Sequence, residues 1–204
     1  MSTASNGQPV RTATERRTTG ETDITITVDV DGTGAVSAST GIPFFDHMLD
    51  QLGRHGGMDL NIDATGDLTV DAHHTVEDTG ILLGKTLGKA LGDKRGVRRF
   101  SSASVPLDEA LVDVSIDLSG RPFLYYDVEF PGEKILGDPP FDPQLIEEFW
   151  RAVVTSAGIT LHVSLVRGRN THHIVESIFK SIARALRDAV RLESDAMPST
   201  KGTL

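Results

Sequence analysis

The sequence predicts a mixed chain of strands and helices made from two copies of one unit, and three observations carry that prediction. The pentad His-His-Thr-Val-Glu at 73–77 returns 99 positions later as His-His-Ile-Val-Glu at 172–176, taking four of the seven histidines in the chain. Segments that alternate apolar and polar residues, the period of half-buried strands, are interleaved with segments of helical spacing, in the same order in both halves. The spacings around the two pentads also agree. His47 lies ten residues before Gly57 and Glu148 ten before Gly158; Gly57 lies sixteen before His73 and Gly158 fourteen before His172. One loop shorter by two residues therefore aligns the halves, and it pairs His47 with Glu148.

Each element follows from local pattern. In TDITITVDV (22–30) Ile24, Ile26, Val28 and Val30 alternate with polar residues, which predicts a strand. Asp31-Gly32-Thr33-Gly34 turns the chain into a short second strand. Phe44, Phe45, Met48, Leu49 and Leu52 recur at helical spacing until Gly56-Gly57 stops them. MDLNID (58–63) is a further strand. From His74 to Leu91, Val76, Leu83, Leu87 and Leu91 predict a helix in spite of Gly80, Gly84 and Gly88, each of which costs about 1 kcal/mol relative to Ala. Small residues every fourth position permit close approach of a neighbouring element. In the second half, 110–118 and 122–130 read as strands around Ser119-Gly120, 142–158 as a helix, 159–166 as a strand and 172–192 as an amphipathic helix.

Composition narrows the possible functions. With 204 residues the chain is long enough for a sizeable core, and 38% hydrophobic with 24% charged residues is ordinary for a globular protein. A net charge of −9 argues against nucleic acid as a partner. No apolar run approaches a membrane span. The absence of cysteine excludes disulfides and thiolate chemistry and fits an intracellular location. The first residues, MSTASNGQPVRTATERRTTG, lack a signal-peptide core, so 1–18 are expected to form a disordered tail. Residues 19–95 and 96–193 are the two repeats, and 194–204 are expected to be mobile until something holds them.

The repeated pentads point to metal. On a helix, residues four apart share a face, so His73 with Glu77 and His172 with Glu176 are each a two-ligand clip. His74 and His173, one position on, point about 100° away. A two-fold arrangement of the halves lets each metal take the clip of one half and the second histidine of the other, with His47 and Glu148 completing the sets. Such nitrogen and oxygen ligation suits Mn, Fe, Zn or Ni. A single His-His pair is usually a surface or satisfied core feature; two copies at equivalent helix starts are not so easily dismissed. His47, Gln51 and His55 line one face of the first helix. Arg99, Arg121, Lys180 and Lys201, individually ordinary surface charges, are suited to a phosphate near the metals.

The segments GIPFFDHMLDQLGRHGG, DAHHTVEDTG, PLDEALVDVSIDLSGRP and GRNTHHIVESIFKSIARAL, in that order, closely resemble the imidazoleglycerol-phosphate dehydratase family, lyases of histidine biosynthesis, with a match from about Arg17 to Lys201. The resemblance implies an α+β fold of two fused, pseudo-symmetric βαβ-type repeats of the ribosomal protein S5 domain 2-like kind, each a four-stranded sheet backed by two helices. It also implies a cytoplasmic homo-oligomer of twenty-four subunits with two Mn(II) ions per active site at subunit contacts. By position, one metal would be held by His47, His74, His172 and Glu176, and the other by His73, Glu77, His173 and residue 148, where this chain has Glu and family members often have His. Substrate contacts would fall on Glu21, Gln51, His55, Arg99, Arg121, Lys180, Ser199, Thr200 and Lys201, the carboxy-terminal tail closing over the phosphate in a neighbouring subunit's site.

The expected reaction is dehydration of D-erythro-imidazole-glycerol phosphate to imidazole-acetol phosphate. No carbonyl acidifies the C–H that must be lost. Metals on both ring nitrogens would favour the imidazolate, which expels the adjacent hydroxyl to give a diazafulvene; loss of the neighbouring C–H then yields an enol. Glu21 is the expected acid/base. Two rivals share the two-metal layout: a dinuclear phosphoesterase, which the histidine richness disfavours, and a metal-binding cage without catalysis.

Overall fold

The computed structural model describes residues 10–132 and 135–204. The first repeat runs β1 (Thr12–Thr18), β2 (Thr22–Asp29), β3 (Val36–Ser39), α1 (Pro43–Gly56), β4 (Asp59–Gly66) and α2 (His73–Leu91). The second runs β5 (Phe100–Leu107), β6 (Ala110–Asp117), β7 (Phe123–Asp127), α3 (Gln144–Ala157), β8 (Thr160–Arg167) and α4 (Thr171–Ala189). Each forms a four-stranded sheet, β1-β2-β4-β3 and β5-β6-β8-β7, in which only the last pair is parallel. The chain is thus α+β with two like halves, as expected. The short strands β3 and β7 are not hairpin partners of the strands before them. Each runs parallel to the strand that follows its helix, because a strand–helix–strand crossover returns the chain in the same direction.

Two strands were not foreseen. The tail expected over 1–18 is corrected by β1, which pairs antiparallel with β2 from Thr12↔Asp29 to Thr18↔Asp23; residues 1–9 lie outside the described residues. β5 pairs with β6 in the same way. Both strands alternate exposed with only half-buried positions; the inner face of β1 is polar apart from Ala13, and that of β5 offers only the short Ala103-Val105-Leu107 period. Cross-strand polar pairs add to the pairing: Thr14 with Thr27 and Ser102 with Ser115 at 2.9 Å, and Arg16 on Asp23.

The helices lie against the inner faces of the sheets and pack on each other across the repeats, α1 against α4 and α2 against α3. Ile24, Ile26 and Val28 of β2 and Val112, Leu161 and Val163 of the second sheet point inward and are fully buried. Phe45, Phe149, Trp150 and Phe179 fill the space between the helices. The glycines of α2 are the contact with α3. A methyl group on Gly80 would stand 2.7 Å from the Phe149 carbonyl oxygen, and one on Gly84 2.5 Å from that of Val153. The helix-weakening glycines therefore sit where α3 leaves no room for a side chain. α1 and α3 stop at the equivalent residues Gly57 and Gly158, both left-handed (φ 67° and 64°), a conformation glycine adopts without a Cβ penalty.

Candidate metal centre

The exchange of helices between repeats decides which predicted ligands meet. Because α1 lies on α4, His47 faces the clip at the start of the second repeat's last helix. His172 Nε2 is 3.0 Å and His47 Nε2 3.4 Å from the same oxygen, Glu176 Oε2. One ligand atom from each of the three lies within 4.8 Å of the others, the one such trio among the described residues. Two imidazoles converging on a carboxylate form a donor set suited to a divalent cation. Phe44 packs edge-on against the His172 ring at 5.3 Å and limits its rotation.

Glu176 is largely buried, and its other oxygen receives Lys180 Nζ at 2.6 Å. Burial raises its pKa, but the Lys180 hydrogen bond and charge, with His172 and His47, outweigh burial and hold the carboxyl below its ordinary value. Further along α1, His55 Nε2 is 3.2 Å from Gln51 Oε1. Burial, then the charges of Lys180 and Arg184, push the His55 pKa down, so this ring is neutral at lower pH than a free histidine. Gln51, His55 and Lys180 thus lie where α1 and α4 face each other, beside Glu176.

The candidates for the second set lie at the start of α2 and on α3, and they form no comparably close trio among the described residues. His73 Nε2 is 3.7 Å from Glu77 Oε2, both side chains more than 40% exposed. Glu148 shares with His73 a cavity of about 460 Å³, also lined by Asp71, Asp142 and Gln144. Glu148 is therefore on the side of α3 that faces His73.

Within one chain His74 and His173 join neither the trio nor the residues of the second set. His74 Nδ1 lies 3.0 and 3.2 Å from the two oxygens of Asp67, and its Nε2 is 3.7 Å from Glu21 Oε1. The Asp67 hydrogen bond is the main cause of a raised His74 pKa. His173 Nδ1 lies 2.7 Å from Glu109 Oε2. Glu109 also accepts from the Arg169 and Asn170 backbone amides at 3.1 and 2.7 Å. The His173 bond and these two amides lower its pKa to about 2. Asp67 and Glu109 were missed in the sequence. Neither lies within a helical turn of its histidine, and no local spacing marks them.

The phosphate candidates form a separate group. Arg99, held with φ 76°, donates to Asp117 at 2.7 Å and to the Pro198 carbonyl at 2.8 Å. Leu204 lies on the turn of Ser119-Gly120-Arg121, where a Gly120 Cβ would stand 2.7 Å from its carbonyl carbon. The tail expected to be mobile is thus docked on its own second repeat, and Ser199, Thr200 and Lys201 lie between those two anchor points. Lys180 is not in this group; its ammonium is committed to Glu176.

A family model described as imidazoleglycerol-phosphate dehydratase matches residues 40–186. The imidazoleglycerol-phosphate dehydratase of Gluconacetobacter diazotrophicus is 57% identical over 197 residues, covering 95% of this chain and 98% of that protein. That of Cereibacter sphaeroides is 54% identical over 198 residues, 96% of this chain and all of the relative. Among solved structures, the enzyme of Staphylococcus aureus superposes with a TM-score of 0.78 at 39% identity, covering 87% of this chain and 97% of that one. The Pyrococcus furiosus enzyme in complex with (S)-C348 gives 0.79 at 39% identity, covering 93% and 100%.

Proposed function

The chain belongs to the imidazoleglycerol-phosphate dehydratase family, and from that premise we propose how its residues carry out the dehydration that serves histidine biosynthesis. As a hydro-lyase, it takes a small-molecule substrate. The observation that carries the proposal is the convergence of His47, His172 and Glu176 from α1 and α4 within 4.8 Å. A donor set of this kind accepts Mn(II), and the α2–α3 set of His73, Glu77 and Glu148 is its counterpart. The first set lacks the first-repeat His74, and the second set lacks the second-repeat His173. We assign these to other copies of the chain, so that every site is completed by assembly and each chain accounts for two ions. An assembly of twenty-four in the cytoplasm agrees with this reading. Exposed Phe100, Phe123 and Tyr125 on the outer face of the second sheet supply apolar surface for subunit contacts. No helix among the described residues is long and apolar enough to cross a membrane.

Held by these two sets of residues, the ions would supply Lewis acidity that favours the deprotonated imidazole of the substrate. The chain's own groups account for the rest. Glu21, 54% exposed and 3.7 Å from His74 Nε2, is free to protonate the departing hydroxyl or to take the C–H proton. One C–O and one C–H bond break, water leaves, and the enol formed becomes the ketone. Arg99, Arg121, Ser199, Thr200 and Lys201 would hold the phosphate, and Lys180, Gln51 and His55 would contact the substrate beside the first trio. Chelator-stripped protein reloaded with Mn(II) should convert imidazole-glycerol phosphate to a product that absorbs as an enol in alkali. Ion uptake without that product would overturn the proposal.

A further inference from the structure

The ladder registers of the two hairpins superpose without a gap. Thr12↔Asp29 corresponds to Phe100↔Asp117, and Thr14↔Thr27 to Ser102↔Ser115, even to the hydroxyl pair. The turn Gly20-Glu21 is therefore equivalent to Asp108-Glu109, and Glu21 is the repeat counterpart of Glu109. Both glutamates stand beside the second histidine of their repeat's pentad, but at opposite ring nitrogens. Glu109 meets His173 at Nδ1, whereas Glu21 meets His74 at Nε2. The reason lies at Asp67. This residue, in the loop after β4, already occupies His74 Nδ1 with both oxygens.

We propose that Glu109 and Asp67 are positioning residues, which hold His173 and His74 with the proton on Nδ1 and the Nε2 lone pair free for a metal. We further propose that Asp67, by taking over this task in the first repeat, releases Glu21 for proton transfer. The inference rests on the two-metal reading above. An ionised carboxylate only accepts hydrogen bonds, so a neutral ring facing one at Nδ1 must carry its hydrogen there. Carboxylates behind ligating histidines commonly set tautomer and ring orientation in this way. The need is greater here than for the other three histidines. His47 and His172 are packed beside a ligand carboxylate and each other in their own trio, and His73 has Glu77. His74 and His173 lie outside both sets, each with only a distant carboxylate at Nε2 (Glu21 at 3.7 Å, Asp108 at 3.8 Å), and must present Nε2 to a site that their own chain does not complete. Glu109 is already engaged at both oxygens: one takes two backbone amides and the other the ring. Glu21 accepts no hydrogen bond from its side-chain surroundings beyond the His74 approach at 3.7 Å.

The test is Co(II) titration of the full-length, chelator-stripped protein, read by competition affinity and by the visible absorption bands that report ligand geometry. Glu109→Gln is nearly isosteric, but its amide can donate to Nδ1 and so favours the wrong tautomer. We expect it to weaken one of two ions about 10–100-fold and to shift that ion's bands. Asp67→Asn should do the same to the other ion. Glu21→Gln should leave both affinities and both spectra unchanged. Two ions bound with wild-type affinity and spectra in Glu109→Gln and Asp67→Asn would overturn the positioning role alone. Loss of an ion in Glu21→Gln equal to that in Asp67→Asn would overturn the division of labour. Wild-type protein that fails to bind two ions per chain would instead overturn the metal reading on which both rest.

Discussion

Gly84 and Gly88 lie one turn apart on α2 and should respond to alanine with opposite signs. In an open helix either substitution would gain about 1 kcal/mol from propensity. At Gly88 the nearest atoms to a new Cβ are Ala157 Cα at 3.9 Å and its oxygen at 4.0 Å, ordinary contact distances. Gly88→Ala should therefore keep most of that gain, about 0.5–1 kcal/mol. At Gly84 the methyl would meet Val153 O at 2.5 Å, Ser156 Cβ at 2.8 Å and Ala157 N at 3.1 Å. Carbon and oxygen settle at about 3.3–3.6 Å, so the helices would have to part by roughly 1 Å. Two of the three atoms are backbone and cannot turn aside. Overpacking of this kind costs about 1–3 kcal/mol, and at Gly84 it should exceed the propensity gain and destabilise by about 1–2 kcal/mol. Denaturant unfolding of the metal-free protein at one fixed protomer concentration measures both variants. Because Glu148 and Phe149 sit on the displaced helix, Gly84→Ala should also weaken the ion held between α2 and α3, while the α1–α4 ion keeps its affinity. Equal stability of the two variants would refute the close approach of α2 and α3 and the role given to its glycines.

Four further outcomes are expected. Glu148→Ala should lower the affinity of the α2–α3 ion alone, and Glu148→His should retain that ion with a preference shifted towards Zn over Mn, as competition titration would show. Glu21→Gln should cut turnover about 10²–10⁴-fold in a steady-state assay with ion content and assembly size unchanged; near-normal turnover would remove Glu21 from the chemistry. Arg99→Ala should raise KM more than it lowers kcat, and should also lower stability, because Asp117 loses its partner. Glu109, with its pKa depressed from 4.5 to about 2, contributes stability that is fully present above pH 4.5 and is lost as pH falls towards 2. Acid unfolding of metal-free Glu109→Gln should lack that segment of the pH dependence, and a profile identical to wild type would show that Glu109 is not held as described.

The sequence by itself determined the repeat, most of its elements and the candidate ligand types. Alternation in β2, β6 and β8, helical spacing in all four helices and stop signals at Gly57 and Gly158 are local properties, legible because each reports burial of one face of one element. The offset that pairs His47 with Glu148 was legible for the same reason. β1 and β5 were less legible, since these edge strands bury their inner faces only in part: that of β1 is mostly polar, and that of β5 offers only the short Ala103-Val105-Leu107 period. Tertiary structure decided which ligands meet. Nothing local states that α1 lies on α4 and α2 on α3; that follows from packing two amphipathic layers against each other, and it alone brings His47 to Glu176 and Glu148 to His73. The carboxylates behind His74 and His173 were likewise hidden. Asp67 and Glu109 reach their histidines only when a loop and a hairpin turn close over the helix starts, and a hydrogen bond between residues 64 positions apart is a fact of chain folding that no local spacing encodes.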